Sequence, residues 1–485
     1  MPKKEILMEN FWDYKVWGTV NLVAVLLLSL LAANILKRKI AFLEKSLIPT
    51  SVLGGTILLV IAGFYDLVAQ TPMFETKFFA ENGYNTLETI TYHTLALGLI
   101  ASTFKSSKDK LSKQRANEIF NTGVTTVSTY LLQGFVGMGI TILAAMMIKD
   151  FFPAAGLLVA FGFGQGTGQA MNYGNIYEIE HGFVGGKTFG LTIAAVGFIC
   201  ASFGGVIHLQ ILKRKQKRVI NNVSEYEELA MQDIIQTKNE VPMQGSMDRM
   251  TIQVAFVMIT YLLTYLVIFW LGELIPGMRS VIYGFNFLIG VLCAILVKQV
   301  LKLLKKTSLS SREYINDFLM TRTSNFFFDL MVVAGVAAIR LGVLKSYWGI
   351  MIILGVAGFI VTYFYNRLVA KVLFKGYPEE QFMMMYGMLT GTASTGTILL
   401  REIDGEFKTP AADNMVYQNF PAIVFGFPLM ILATLAPKEP ILTFCILVGF
   451  YLVMNIVLFR SFIFRRRKAK KGASSTEKAK EPAKK

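Results

Sequence analysis

In a chain that is 54% hydrophobic, two stretches gather glycines and neutral hydrogen-bonding side chains where apolar residues surround them. The first, "AFGFGQGTGQAMNYGN" (160–175), sets Gly162, Gly164, Gly166 and Gly168 among Gln165, Thr167, Gln169 and Asn172. Around Gly391 and Gly396, the second offers Thr390, Thr392, Ser394, Thr395 and Thr397. Glycine-rich backbone leaves N–H and C=O groups free, and inside a bilayer such backbone persists only where protein or a water-filled cavity satisfies it. Hydroxyl and carbonyl oxygens suit sodium, whereas N–H groups at the start of a half-helix suit a carboxylate.

Charged and amide residues near these stretches extend the two candidate sets. Arg401, in "LLREIDGE", is placed to hold an anionic group by planar, bidentate hydrogen bonding, or to pair with Asp404 at the membrane interface. The substrate set is then Gln165, Gly166, Thr167, Gly168, Asn172, Gly391, Thr392, Ser394, Thr395 and Arg401. For sodium the candidates are Thr167, Thr392, Ser394, Asp404, Asn419 and Asp329. Asn419 precedes Pro421, which can free a carbonyl, and Asp329 lies inside an apolar run, where it must bind a cation or pair with Arg322 or Arg340.

Other chemistries find no support in these residues. No strand–turn–helix context surrounds Gly164, so a nucleotide-binding loop is excluded. There is no HExxH, no GxSxG and no pair of carboxylates beside a nucleophile, so an enzyme is not expected. His93, His181 and His208 are isolated, and Cys200, Cys293 and Cys445 lie in apolar runs without ligand spacing. No transition metal or cofactor is expected beyond sodium as a coupling ion.

The elements that must position these residues are membrane helices. Only 16% of residues are charged and the mean hydropathy is +0.51, and apolar runs of about 20 residues recur along the chain, each able to cross the bilayer as a helix. Spans are expected at 17–36, 47–65, 89–104, 118–148, 187–212, 250–270, 280–297, 318–341, 347–369, 413–435 and 441–459. The polar stretches 153–176 and 378–400 are left over as segments that dip into the membrane and return. With that assignment the basic connectors at 37–39, 105–115, 213–218, 298–306, 371–375 and 465–471 share one side, the cytoplasm by the positive-inside rule. The amino terminus is then outside and the carboxyl terminus inside. The net charge of +16 sits in these connectors, so it sets topology and does not imply nucleic acid. No small-residue cleavage site follows the charged, aromatic start, so a cleaved signal peptide is not expected.

The chain also reads as duplicated. "SLIPTSVLGGTILLVIAG" from Ser46 resembles "ELIPGMRSVIYGFNFLIG" from Glu273, and "GQGTGQA" from Gly164 resembles "LTGTASTG" from Leu389, both at an offset near 225 residues. Five spans per half is an odd number, so the second half must lie inverted relative to the first, the plan of secondary transporters. The fold class expected is therefore an all-α polytopic membrane protein of two inverted five-helix repeats, each with a re-entrant segment, plus one further helix. Its parts are 1–212, a cytoplasmic linker at 213–249, the inverted repeat 250–436, an extra helix in 437–464 and a basic, disordered tail at 465–485.

These residues resemble the bacterial sodium:glutamate symporter family. The resemblance rests on "LIPTSVLGG" (47–55), "TLALGLIAS" (94–102), "GQGTGQA", the helix "TFGLTIAAVGFICASFGG" (188–205) and the second dipping segment. In the family's first loop motif Gly164, Gly166, Thr167 and Gly168 match, while Gln165, Gln169 and Met171 depart. The resemblance implies sodium-coupled import of glutamate or another acidic amino acid by alternating, elevator-like movement, in a homodimer in the bacterial plasma membrane. A dicarboxylate or other organic anion is the alternative cargo, and an ion channel with the two glycine loops as its filter is the rival class.

Overall fold

The computed structural model describes residues 10–104, 112–216, 247–306, 314–405 and 408–460, and all regular structure among them is helical. In chain order the helices are α1 (Tyr14–Lys39), α2 (Ala41–Lys45), α3 (Thr50–Ala69), α4 (Gly83–Phe104), α5 (Lys113–Met147), α6 (Leu158–Gln165), α7 (Thr167–His181), α8 (Gly186–Gln216) and α9 (Arg249–Leu274). They continue with α10 (Arg279–Gly284), α11 (Asn286–Lys306), α12 (Asp317–Ala337), α13 (Trp348–Leu373), α14 (Pro378–Thr390), α15 (Ala393–Arg401), α16 (Ala411–Tyr417), α17 (Asn419–Leu435) and α18 (Pro440–Leu458).

Eight of these, α1, α3, α5, α8, α9, α11, α13 and α18, are long and apolar enough to cross a membrane. A ninth is added if α16 and α17 count as one bent span. The outward faces agree with lipid as their solvent: Leu28, Leu31, Val60, Phe64, Phe203, Ile352, Val356 and Phe364 are all exposed. In water each such side chain would cost roughly 1.5–3 kcal/mol relative to burial. Two expected spans, α4 and α12, form as helices but carry Thr, Tyr and His in one and Arg322 and Asp329 in the other, and they shelter by packing on each other.

The expected boundaries move where local chemistry demands it. The second span begins only at Thr50, because Leu47 takes a positive φ of 58° and Pro49 precedes the helix. The span expected at 280–297 is interrupted at Phe285 and then runs on to Lys306. The span expected at 413–435 turns by 53° between 411–417 and 421–435, where Pro421 has no N–H to give the Tyr417 carbonyl. The expected tail at 465–485, and the cytoplasmic linker from 217 to 246, lie outside the described residues.

Both left-over stretches fold as helical hairpins. Phe161 and Tyr173 stack with ring centroids 4.0 Å apart, although one continuous helix would hold them about 18 Å apart; α6 and α7 therefore lie side by side. In the second hairpin a Cβ on Gly396 would stand 2.5 Å from the Met384 carbonyl oxygen, so α14 and α15 touch backbone to backbone. Only glycine permits that approach. Around the hairpins the packing comes in matching pairs: α3 on α12 and α4 on α11, α6 on α5 and α14 on α13, α17 on α5 and α8 on α13.

Candidate functional site

The hairpins meet tip to tip. The first tip turns at Gly166, whose φ of 83° and ψ of −171° fall in a region essentially reserved for glycine. A Cβ built there would lie 3.5 Å from Thr392 Cγ2 and 3.7 Å from the Gly391 carbonyl oxygen, so the second tip sits directly against the first. Thr392 caps α15, its Oγ1 accepting from Thr395 N at 3.4 Å and lying 3.3 Å from Thr395 Oγ1. At each tip a helix ends and another begins. The first-turn N–H groups of α7 and α15 and the last carbonyls of α6 and α14 therefore converge on one place, with partial positive and negative charge side by side.

Neighbouring helices hold this junction still. Buried Thr167 donates from Oγ1 to the Met331 carbonyl of α12 at 3.4 Å, Gly168 abuts Leu95 and Met331, and the Asn172 amide donates to the Gly284 carbonyl. From α5, Gln133 Nε2 donates to the Leu389 carbonyl at 2.8 Å and to Thr362 Oγ1 at 2.9 Å, tying the end of α14 to α5 and α13. Most of α5 near this point is polar yet buried: Thr122, Thr125, Thr126 and Thr129 each donate to the carbonyl four residues back at 2.7–3.0 Å. That band was not singled out from the sequence; the density of hydroxyls in "TGVTTVSTYLLQG" (122–134) was the signal for it.

Beside the junction opens a cavity of about 480 Å³, within the range of small-molecule sites. Gln165, Gln169, Thr392, Gln418 and Asn419 bring polar groups to it, and α4, α11 and α17 supply mostly apolar walls. It extends past Ser102 and Thr103 to Lys298, whose Nζ donates to the Thr103 carbonyl at 3.2 Å. Lys298 is the single charged side chain among the described lining residues. Asn419 Oδ1 accepts from Gln418 Nε2 at 3.0 Å. Gln169 is 2% exposed and neither its Oε1 nor its Nε2 has a hydrogen-bond partner; Gln418, 3% exposed, has an unpartnered Oε1.

Of the residues singled out in the sequence, Gln165, Gly166, Thr167, Gly168, Gly391, Thr392 and Thr395 come together at the tips, and Asn419 joins them through the cavity. The others do not. Ser394 is half-buried on α15 and outside the lining. Arg401 is exposed at the far end of α15, about 12 Å along the helix from its start. Asp404 accepts from Lys408 N, Thr409 N and Thr409 Oγ1 at 2.8, 2.9 and 2.6 Å, closing the turn after the hairpin. Asp329 stands beside Ser51 of α3, while Arg340 binds Glu88 and Arg322 lies over the Phe318 ring.

Two polar clusters flank the site. Glu88, its side chain 8% exposed, bridges Lys187 Nζ at 2.6 Å and Arg340 Nη2 at 2.7 Å, joining α4, the start of α8 and the end of α12. His208, isolated in sequence, is 1% exposed between Tyr363 OH at 2.8 Å and Glu379 Oε2 at 2.9 Å, and Glu379 is clasped by Arg367. No known protein-family model matches the chain, and a search of curated proteins finds no match to it.

Proposed function

We propose that this chain is a secondary transporter that couples the entry of a small carboxylate-bearing solute to sodium. The observation that carries this reading is the pair of helical hairpins whose tips meet beside a cavity lined by both halves of the chain. Converging helix starts would hold the carboxylate, and tip carbonyls with the Thr167 and Thr392 hydroxyls would hold sodium. Arg401, at the far end of α15, lies outside that cavity.

The matching packing pairs support two inverted repeats of five spans with a hairpin each, α18 being the eleventh span. On this plan α4 against α12 and α5 against α13 straddle the pseudo-two-fold axis. Basic connectors facing the cytoplasm of a bacterial plasma membrane put the amino terminus outside, and the cavity, which runs toward Ser102, Thr103 and Lys298, then opens inward. The two hairpins with α8 and α17 form the moving part, and a second copy of the chain steadies the remainder. Contact between the tips favours a transporter over a channel, because a filter needs an open path between its loops.

Glutamate, which the resemblance implies, and a dicarboxylate such as succinate are the first two solutes to try. The purified protein in proteoliposomes is given each radiolabelled solute under an inward gradient of sodium, potassium or protons. Accumulation that needs sodium and is released unchanged is the expected result. Solute entry that no gradient drives, or a steady current without solute, would refute coupled transport.

A further inference from the structure

Among the described residues Gln169 is the side chain with the least account of its polar groups. It lies in the first turn of α7, lines the cavity and is 2% exposed, yet both ends of its amide lack a partner. Since neither end is paired, the result does not depend on which atom is nitrogen. A buried amide left open is disfavoured unless something that enters the cavity satisfies it. Gln418, from the other half of the chain, borders the same cavity with its own open Oε1.

The open groups define their complement. A sodium ion would satisfy the oxygens but face the Nε2 protons of Gln169, and a carboxylate would accept from Nε2 but repel both oxygens. A primary carboxamide answers all three, since its two N–H groups donate to the Gln169 and Gln418 oxygens while its own oxygen accepts from Gln169 Nε2. The start of α7 remains for a carboxylate elsewhere on the same solute. We propose that Gln169 and Gln418 form a carboxamide subsite, so that the solute is an amino acid with an amide side chain, such as glutamine or asparagine, in place of an acidic one. This rests on the reading of the cavity as the transport site and goes beyond it in naming the side-chain chemistry.

The test titrates the full-length protein in nanodiscs with L-glutamine and L-glutamate by calorimetry. The wild type is expected to bind glutamine at least about tenfold more tightly, and Gln169→Leu to lose about 10- to 100-fold in glutamine affinity. Glutamate affinity should change less than about threefold in that variant, a split that general damage to the fold would not produce. Without solute, Gln169→Leu should melt no lower than the wild type, because it removes an unsatisfied buried amide. The near-isosteric Gln169→Glu should also lose glutamine, and serves if the leucine variant is poorly folded. Glutamate bound as tightly as glutamine, no binding of either, or glutamine binding that survives both variants would overturn the subsite. Sodium-driven uptake separates the two readings: uptake that prefers glutamate overturns the subsite alone, whereas tight glutamine binding with no gradient-driven uptake overturns transport and leaves the subsite standing.

Discussion

Replacing Gly166 by alanine probes the hairpin tip with almost no change in volume. The added Cβ would meet Thr392 Cγ2 at 3.5 Å, the Gly391 carbonyl oxygen at 3.7 Å and Met331 Cε at 3.8 Å, all ordinary contacts. Steric cost is therefore small and the penalty comes from the backbone. Holding alanine at φ 83° and ψ −171° costs about 1–3 kcal/mol. The tip can relieve that cost only by rotating the first turn of α7, which carries Thr167, Gly168 and Gln169, away from the second hairpin. Gly182→Ala is the control: at φ 70° and ψ 19° it ends α7, has open space around it, and should cost about 1–2 kcal/mol. Denaturant unfolding in mixed micelles measures both, and sodium-driven uptake in proteoliposomes measures function. Both variants should lose stability, but only Gly166→Ala should lose uptake, by tenfold or more. Wild-type stability and uptake in Gly166→Ala would refute the tip geometry; equal loss of uptake in both would show that function depends on general stability.

Two further substitutions test the surroundings of the site. Glu88→Gln leaves Lys187 and Arg340 facing each other without the carboxylate between them; because both cations are partly exposed, the loss should be about 1–3 kcal/mol in thermal or denaturant unfolding, and an unchanged melting profile would refute the bridge. Asp404→Asn keeps the side chain's shape but replaces one acceptor oxygen by a donor facing Lys408 N or Thr409, so stability should fall by about 1–2 kcal/mol while the sodium concentration for half-maximal uptake stays unchanged. A shift in that sodium dependence with stability intact would make Asp404 a sodium ligand and not a turn cap.

The hairpins were legible because two independent sequence signals agree. Glycines at 162, 164, 166 and 168 weaken a continuous helix there, which breaks at Gly166, and only an odd number of crossings before the linker keeps the basic connectors on one side. Helix existence followed from apolar runs, which cross the bilayer whatever their partners. Arg401 and Asp404 follow the second glycine stretch closely in sequence, but the nine-residue α15 carries Arg401 away from the tip and the turn beyond it consumes Asp404. Neutral amides carry the site: Gln133, unremarkable in sequence, anchors α14, and Gln418, one of the polar residues beside Asn419 and Pro421, borders the cavity.

Sequence alone determined that the chain is helical, where its long apolar helices run and which two stretches must break, because hydrophobic length and missing β-carbons act locally. Tertiary structure alone decided that the two breaks abut, that Glu88 and not Asp329 takes Arg340, and that Gln169 is buried without a partner. Those outcomes depend on which helix lies against which. A side chain's solvation and pairing are properties of its neighbours in space, and residues more than two hundred positions apart supply them.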